Sequence, residues 1–265
     1  MSSTPQPEGQ ILPPNSAATP RTRDRRWDVL TAPGTYLLLG INCAVFLWMV
    51  LHGVSFTSPT TGQLVYFGAT NPDLILAHGQ WWRLVTATFV HVGIIHIATN
   101  MWCLWNLGLL GEPLVGPVGL CAIYLITGIA GNLLSLAVNV ITNDKISVGA
   151  GASGAVFGIA GILIVLLSNH KLPIPWSELK RLRRSVIQFA VLNLVIGIAA
   201  RATSIVNIDN FAHLGGFLSG LALGVPLVPR MTAGRARYLS RQKLTFSAAA
   251  FILALFGYFL SNLHY

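Results

Sequence analysis

Long uncharged apolar segments alternate along this chain with shorter segments that carry most of its charge. A helix needs about 20 mainly apolar residues to cross the hydrocarbon core of a bilayer. Segments that reach or approach this length recur seven times, at about 35–52, 92–111, 113–143, 146–169, 185–200, 210–229 and 244–265. The pattern predicts seven transmembrane helices, of which the fifth is the shortest.

The composition supports an all-α membrane protein. Of the 265 residues, 53% are hydrophobic and only 9% are charged, whereas about a quarter of the residues of a soluble domain are charged. The three cysteines lie inside predicted spans and form no Cys-x-x-Cys pattern. They indicate packing residues rather than disulfides or metal ligands.

The basic residues are concentrated on one predicted side of the membrane. With the N-terminus in the cytoplasm, segments 1–28, 169–184 and 230–243 share that side and contain 14 of the 17 Lys and Arg residues. This asymmetry follows the positive-inside rule. The net charge of +9 therefore predicts topology rather than nucleic-acid binding. The one-sided distribution of basic residues fits a bacterial cytoplasmic membrane best, and an organellar or eukaryotic membrane remains an alternative.

The chain divides into three predicted regions. Residues 1–30 form a disordered basic cytoplasmic tail, because their polar, Pro-rich composition cannot bury enough apolar surface to fold alone. Residues 31–228 form a core of six spans. Residues 229–265 comprise a cytoplasmic basic loop and a seventh transmembrane helix.

Segment 149–158 is the most distinctive in the chain, because small residues surround a single serine at the start of the fourth span. Gly151, Ser153 and Gly154 form a Gly-x-Ser-Gly motif. Small residues let membrane helices pack closely, so helix packing is one interpretation. The other is that Ser153 is a nucleophile, which requires a base and an oxyanion site elsewhere in the chain.

The sixth span offers the base. His213 lies near the predicted external end of this span, at about the depth of Ser153, and Gly216 and Gly220 continue a small-residue stripe from it. Two such stripes could bring the imidazole within hydrogen-bond reach of the serine hydroxyl. Because Asp209 lies one turn earlier at the predicted surface, the expected arrangement is a Ser-His dyad.

The start of the second span offers oxyanion donors. His96 and Asn100 are four residues apart and so share a helix face. Side-chain donors aimed at a developing oxyanion lower the barrier to acyl transfer. Two alternatives remain, an interhelical hydrogen bond and metal ligation by His91 and His96. The metal is disfavoured because the segment contains no His-Glu-x-x-His motif.

The external segment 53–91 is too apolar to lie free in water. Its Trp82-Arg83 pair predicts either a structured, partly embedded loop or a simple interfacial anchor.

The chain resembles the rhomboid intramembrane serine proteases. Four motifs carry the resemblance, in the family's order: Trp82-Arg83; His91, His96 and Asn100; Gly151, Ser153 and Gly154; and Ala212, His213, Gly216 and Gly220. The resemblance implies a six-helix transmembrane bundle, here with one additional C-terminal transmembrane helix.

The resemblance also implies hydrolysis of peptide bonds in or next to the transmembrane segments of membrane proteins. Ser153 would be the nucleophile that forms a covalent acyl-enzyme, and His213 would be the general base and then the acid. His96 and Asn100 would hold the oxyanion. The supporting residues would be His91, Gly151, Gly154, Gly216 and Gly220.

No cofactor and no metal would be needed for that chemistry. The expected partners are the lipid bilayer and single-span transmembrane substrates. These substrates would enter past a mobile fifth helix and an external cap near 201–207.

Two other classes compete with the protease. A silent rhomboid-like protein would bind membrane helices without cutting them, and it would be expected to lack the serine or the histidine. A transporter or channel would distribute polar residues across the membrane, whereas the polar residues of these spans gather near one face.

Overall fold

The computed structural model describes residues 31–170, 172, 174–202, 209–228 and 234–263. The predicted tail 1–30 and most of the predicted cap near 201–207 lie outside these residues. Helices dominate the described ranges, which contain one isolated antiparallel bridge between Thr70 and Gly149 and no strand. In chain order the helices are α1 (Pro33–Leu51), α2 (Thr61–Tyr66), α3 (Pro72–Leu76), α4 (Arg83–Thr86), α5 (Ile94–Val115), α6 (Pro117–Thr142), α7 (Ser153–Leu166), α8 (Trp176–Ala202), α9 (Asn210–Leu227) and α10 (Gly234–Ser261).

Four of these helices are long and apolar enough to cross a membrane by length and composition: α1, α6, α9 and α10. Helix α7 is apolar but has only 14 residues. The all-helical, apolar architecture indicates a multi-pass membrane protein. Each of the seven predicted spans overlaps one of the longer helices, while the number of crossings stays a prediction.

Helices α8 and α10 both begin well before their predicted spans. Helix α8 begins at Trp176 rather than near residue 185, so the basic residues from Lys180 to Arg184 lie within the helix. Helix α10 begins at Gly234 rather than near residue 244, so residues 234–243 of the predicted basic loop are helical. Lys and Arg are good helix formers, and their charge ends an apolar segment without ending the helix. The apolar pattern therefore located the span but not the start of the helix.

Helix α7 lies at the centre of the bundle. Most of its residues are buried, and α9 packs on it through glycines. A Cβ atom at Gly216 would clash with the backbone oxygen of Gly154, and one at Gly220 would clash with that of Gly158. Only glycine permits this backbone-to-backbone contact, which fixes the two helices relative to each other.

The segment between α1 and α5 is folded rather than extended. It contains the three short helices α2, α3 and α4, and the Arg83 guanidinium is buried among them. Arg83 donates hydrogen bonds to the carbonyl oxygens of Val65 at 2.6 Å and Ala69 at 2.9 Å. This agrees with a structured loop, in which Trp82 is about half exposed.

A buried carboxylate joins the start of α1 to the end of α5. Glu112 accepts hydrogen bonds from the backbone N–H groups of Gly34 at 2.9 Å and Thr35 at 2.7 Å. It also accepts one from the Thr35 hydroxyl at 2.7 Å. An acidic group at a helix N-terminus satisfies donors that the helix itself leaves free. Glu112 therefore caps α1 from a position 77 residues away.

Helix α10 packs on the periphery of the bundle, against α6 and α9. Near its start, Tyr238 Oη donates to the Leu114 carbonyl at 3.2 Å and Gln242 Nε2 donates to the Val115 carbonyl at 2.8 Å. Near its end, Gly257 faces Trp81. Only 11% of an apolar stretch of 18 residues in α10 is buried inside the bundle. Most of the surface of this helix would therefore face lipid.

Candidate active site

The first turns of α7 and α9 bring a serine and a histidine together. Ser153 Oγ and His213 Nε2 lie 2.8 Å apart, although the residues are 60 positions apart in the chain. His213 is buried, with 7% of its surface exposed. In the tautomer that carries its proton on Nδ1, the ring accepts a hydrogen bond from the serine hydroxyl. A general base for this serine needs that geometry.

Asp209 orients the first turn of α9 without touching the imidazole nitrogens. Its side chain accepts hydrogen bonds from the N–H groups of Phe211 at 3.1 Å and Ala212 at 2.9 Å, and from the Ser135 hydroxyl at 2.5 Å. In the described structure His213 Nδ1 has no hydrogen-bond partner. The carboxylate acts as a helix cap, so within the described residues no carboxylate bonds to the imidazole that contacts Ser153.

An aromatic ring holds the imidazole from one side. Phe157 stacks on His213 with ring centroids 4.5 Å apart and an angle of 14° between the planes. Phe157 lies one turn after Ser153 on α7, and this four-residue spacing was the available sequence signal. The motif itself gives Phe157 no role, because an aromatic residue in a membrane helix usually packs in the core.

Backbone hydrogen bonds hold the loop that precedes Ser153. Gly151 N–H donates to the Ala87 carbonyl at 2.9 Å, and Ala152 N–H faces His91 Nε2 at 3.5 Å. His91 Nδ1 lies 3.0 Å from the Phe89 carbonyl, which fixes its ring. Gly151 has a φ of +130°, a conformation that favours glycine. His91 and Gly151 therefore support the serine through the backbone.

The loop is also tethered further from the serine. Thr70 and Gly149 exchange backbone hydrogen bonds at 2.9 and 3.3 Å. Asp144 accepts bonds from the Ser147 hydroxyl at 2.6 Å and from the N–H groups of Ser147 and Ile146. The Ser147 hydroxyl bond is the main reason that the pKa of Asp144 is below its usual value. These contacts involve backbone groups or partly buried polar side chains, and no pattern in the sequence revealed them.

His96 and Asn100 lie against the same loop. A Cβ atom at Gly151 would be 2.7 Å from His96 Cε1 and 3.6 Å from Asn100 Nδ2. The Val92 N–H donates to His96 Nδ1 at 3.3 Å, so in the neutral ring the proton is on Nε2. Asn100 Nδ2 is buried and has no partner among the described residues. Two side-chain donors therefore lie against the loop that immediately precedes the serine.

The metal alternative for His91 and His96 gains no support. Their ring centroids are 5.4 Å apart, but both ring nitrogens of His91 already face backbone groups. In the described ranges no three His, Cys, Asp or Glu residues cluster closely enough to hold a metal ion.

The fold and this site define a multi-pass helical membrane protein in which a serine and a histidine meet at one end of two tightly packed helices. Residues 78–230 match the Rhomboid domain model. This match covers more than half of the chain, so the protein belongs to the rhomboid family.

Proteins of three organisms illustrate the relationship. The chain is 35% identical to the rhomboid protease GluP of Bacillus subtilis over 220 residues, 82% of this chain and 39% of that protein. It is 30% identical to the mitochondrial RHOMBOID-like protein 6 of Arabidopsis thaliana, over 78% of this chain and 66% of that protein. It is 29% identical to the rhomboid-like protease 2 of Toxoplasma gondii, over 75% of this chain and 69% of that protein. The chain thus spans between about two fifths and two thirds of the length of these relatives.

Proposed function

We propose that this protein is an intramembrane serine endopeptidase of the rhomboid type. It hydrolyses peptide bonds in or next to the transmembrane segments of other membrane proteins. The observation that supports this most directly is the 2.8 Å contact between Ser153 Oγ and His213 Nε2, which is partly buried between α7 and α9. The names of two relatives, rhomboid protease GluP and rhomboid-like protease 2, support the same activity.

The first half of the reaction forms an acyl-enzyme. His213 Nε2 removes the hydroxyl proton as Ser153 Oγ attacks the scissile carbonyl carbon. The carbonyl oxygen becomes an oxyanion that accepts hydrogen bonds from His96 Nε2–H, Asn100 Nδ2–H and the Ser153 backbone N–H. When the carbon–nitrogen bond breaks, protonated His213 gives its proton to the leaving amine. The acyl group stays on Ser153 as an ester.

The second half restores the enzyme. His213 removes a proton from a water molecule, whose oxygen attacks the ester carbon, and the same donors hold the second oxyanion. The bond to Ser153 then breaks, the serine oxygen recovers its proton from His213, and the new carboxyl terminus leaves. Every step is a proton transfer or a substitution at the carbonyl. The proposed chemistry therefore needs neither metal nor cofactor.

The proposed topology places six transmembrane helices in residues 31–228 and a seventh after the basic loop in 229–265. The N-terminal tail lies in the cytoplasm, and the dyad lies near the external face. A bonded transmembrane helix hides its carbonyls from water, so a site close to one membrane surface is where hydrolysis can proceed. Single-span membrane proteins are the proposed substrates, and a bacterial cytoplasmic membrane is the proposed location.

The decisive experiment measures cleavage of a model transmembrane substrate by the full chain in liposomes. Because the dyad acts as a unit, we expect Ser153→Ala and His213→Ala each to lower the turnover rate by at least about a thousandfold. A serine-directed fluorophosphonate should label the native protein and not the Ser153→Ala variant.

The matched control is Ser168→Ala, which removes another hydroxyl just beyond the opposite end of α7. This variant should retain native activity and labelling. Thermal unfolding of all three variants shows whether each is folded. Cleavage at the native rate by a folded Ser153→Ala variant would contradict the proposed nucleophile. A protein that binds membrane helices without cutting them would give no turnover even in its native form.

A further inference from the structure

A long apolar groove runs along α10 on the side that faces α9. It encloses about 450 Å³, and α6 forms its floor through Ile126 and Ala130. From α9 it is lined by residues that include Ser219 and Pro226. The Ser219 hydroxyl donates to the Gly216 carbonyl at 2.8 Å, so its proton is already engaged. In a membrane, a groove of this kind is filled by hydrocarbon.

The part of α10 that lines the groove is a single helical stripe. It contains Leu244, Thr245, Ala248, Ala249, Ile252 and Leu253. The alternating spacings of one and three residues keep these side chains on one face of the helix. Extending the same spacing back by one step reaches Arg241. A basic side chain therefore stands at the mouth of the groove, on the face that the apolar stripe continues.

The contacts of Arg241 also place it at this mouth. Its Nη2 donates to the Val228 carbonyl at 2.7 Å, two residues beyond the Pro226 that lines the groove. Its Nε is buried and has no hydrogen-bond partner within the part of the chain that the structure describes. The guanidinium has five N–H donors. The described residues engage one of these donors, and the enclosed Nε cannot be reached from outside. The remaining Nη donors are therefore the ones available to an anionic group at the end of the groove.

The length of the groove matches one leaflet of a bilayer. Leu253 lies nine positions after Leu244, which is about 14 Å along the helix at 1.5 Å per residue. Half of a 30 Å hydrocarbon core is about 15 Å. An acyl chain that lies in the groove would therefore begin beside Arg241 and end near the midplane. Its phosphate would be level with the guanidinium.

We propose that this groove binds one anionic phospholipid, with an acyl chain along the α10 stripe and its phosphate on Arg241. The lipid belongs to the leaflet on the side where α10 begins. It completes the packing of a helix that otherwise touches the bundle over little of its surface. This site is separate from the Ser153 and His213 pair, and its test does not depend on the proposed protease activity.

The test counts lipids retained by the purified full chain in detergent, using native mass spectrometry. The probes are dioleoyl phosphatidylglycerol, which is anionic, and dioleoyl phosphatidylcholine, which has the same acyl chains and no net charge. One basic residue near the membrane surface strengthens binding of anionic lipid about fivefold. We therefore expect the native chain to prefer phosphatidylglycerol and Arg241→Gln to lower its binding about fivefold.

Two matched controls separate this site from general attraction between charges and from nonspecific coating by lipid. Lys243→Gln removes the same charge two residues later, from the opposite face of α10, and should retain the preference. Ala248→Phe fills the groove and should lower the binding of both lipids. Ser247→Phe adds the same ring on another face and should lower neither.

Three results would overturn the proposal. The first is an equal loss of phosphatidylglycerol in Arg241→Gln and Lys243→Gln, and the second is equal retention of both lipids by the native chain. The third is unchanged lipid binding in Ala248→Phe. If Arg241→Gln does not fold, Arg241→Lys keeps the charge and should retain the preference. In that case the comparison of Ala248→Phe with Ser247→Phe tests the groove without any change at Arg241.

Discussion

Helices α9 and α10 both pack on the same bundle, but they do so in opposite ways. Helix α9 meets α7 through glycines, at separations where a single added Cβ atom would strike the partner's backbone. Helix α10 meets α6 and α9 across an apolar groove of about 450 Å³, and it is anchored by long polar side chains such as Gln242. The first interface fixes backbone positions, whereas the second leaves room for a ligand.

This difference corresponds to what each interface carries. Ser153 and His213 come from different helices and lie 2.8 Å apart. A shift of 1 Å between α7 and α9 would therefore break their contact, and positioning errors of that size are costly in catalysis. No such requirement exists along α10. The comparison predicts that substitutions in the two interfaces differ in kind as well as in size.

The largest effect is expected from Gly220→Val. The added side chain would clash with the Gly158 backbone, which cannot move within the centre of the bundle. We expect the free energy of unfolding to fall by about 3 kcal/mol or more, and the cleavage rate to fall with it because the dyad separates. Unfolding in a denaturing-detergent titration measures the first effect.

Gly40→Val is the control for this substitution. Gly40 lies on α1 with open space where its Cβ atom would be, so the change should be within about 0.5 kcal/mol. If both variants lost the same stability, the glycine contact between α7 and α9 would not be special.

A smaller effect, on the rate alone, is expected from Asn100→Ala. This substitution removes a buried donor near the serine without altering the glycine contacts of α7 and α9. The role proposed for Asn100 as an oxyanion donor predicts a loss of turnover of about 100- to 1000-fold. The unfolding transition and the KM should change little by comparison.

Asn106→Ala, on the same helix, tests whether any lost amide has this effect. Asn106 is exposed, and its amide group donates to the Trp102 carbonyl one turn earlier. The turnover rate of Asn106→Ala should equal that of the native protein. A rise in KM with no change in kcat for Asn100→Ala would assign that residue to substrate binding instead.

The smallest effect is expected from Gln242→Ala on α10. It removes the 2.8 Å bond to the Val115 carbonyl, and a hydrogen bond of this kind contributes about 1 kcal/mol to stability. The cleavage rate should stay within about twofold of the native value, since among the described residues no hydrogen bond joins α10 to Ser153 or His213. A tenfold loss of activity in a folded variant would show that the two interfaces are coupled.

Much of the framework could be predicted from local patterns. Apolar segment length located the longer helices, because the hydrophobic requirement of a bilayer acts on contiguous residues. It misplaced the start of α8, since helix propensity continues through Lys and Arg after hydropathy ends. The structured segment around Arg83 was expected from its apolar content. The hydrogen bonds that fold it go to backbone carbonyls, which have no sequence signature.

The residues of the candidate site also differ in whether the sequence could indicate them. Ser153, His213, His96 and Asn100 could be selected in advance, because each is a polar side chain in an apolar segment, where polar groups are costly. The stacking of Phe157 on His213 could not be selected, because an apolar ring in an apolar helix is not an exception to any pattern.

The sequence by itself determined the chemistry available to this protein and the segments that carry it, because residue type and spacing are local properties. Only the tertiary structure decided which of those groups meet. The distance between Ser153 and His213, the cap that Glu112 provides for α1 and the groove that ends at Arg241 all depend on how separate helices pack. Packing depends on complementary shape between segments far apart in the chain, and no single segment records it.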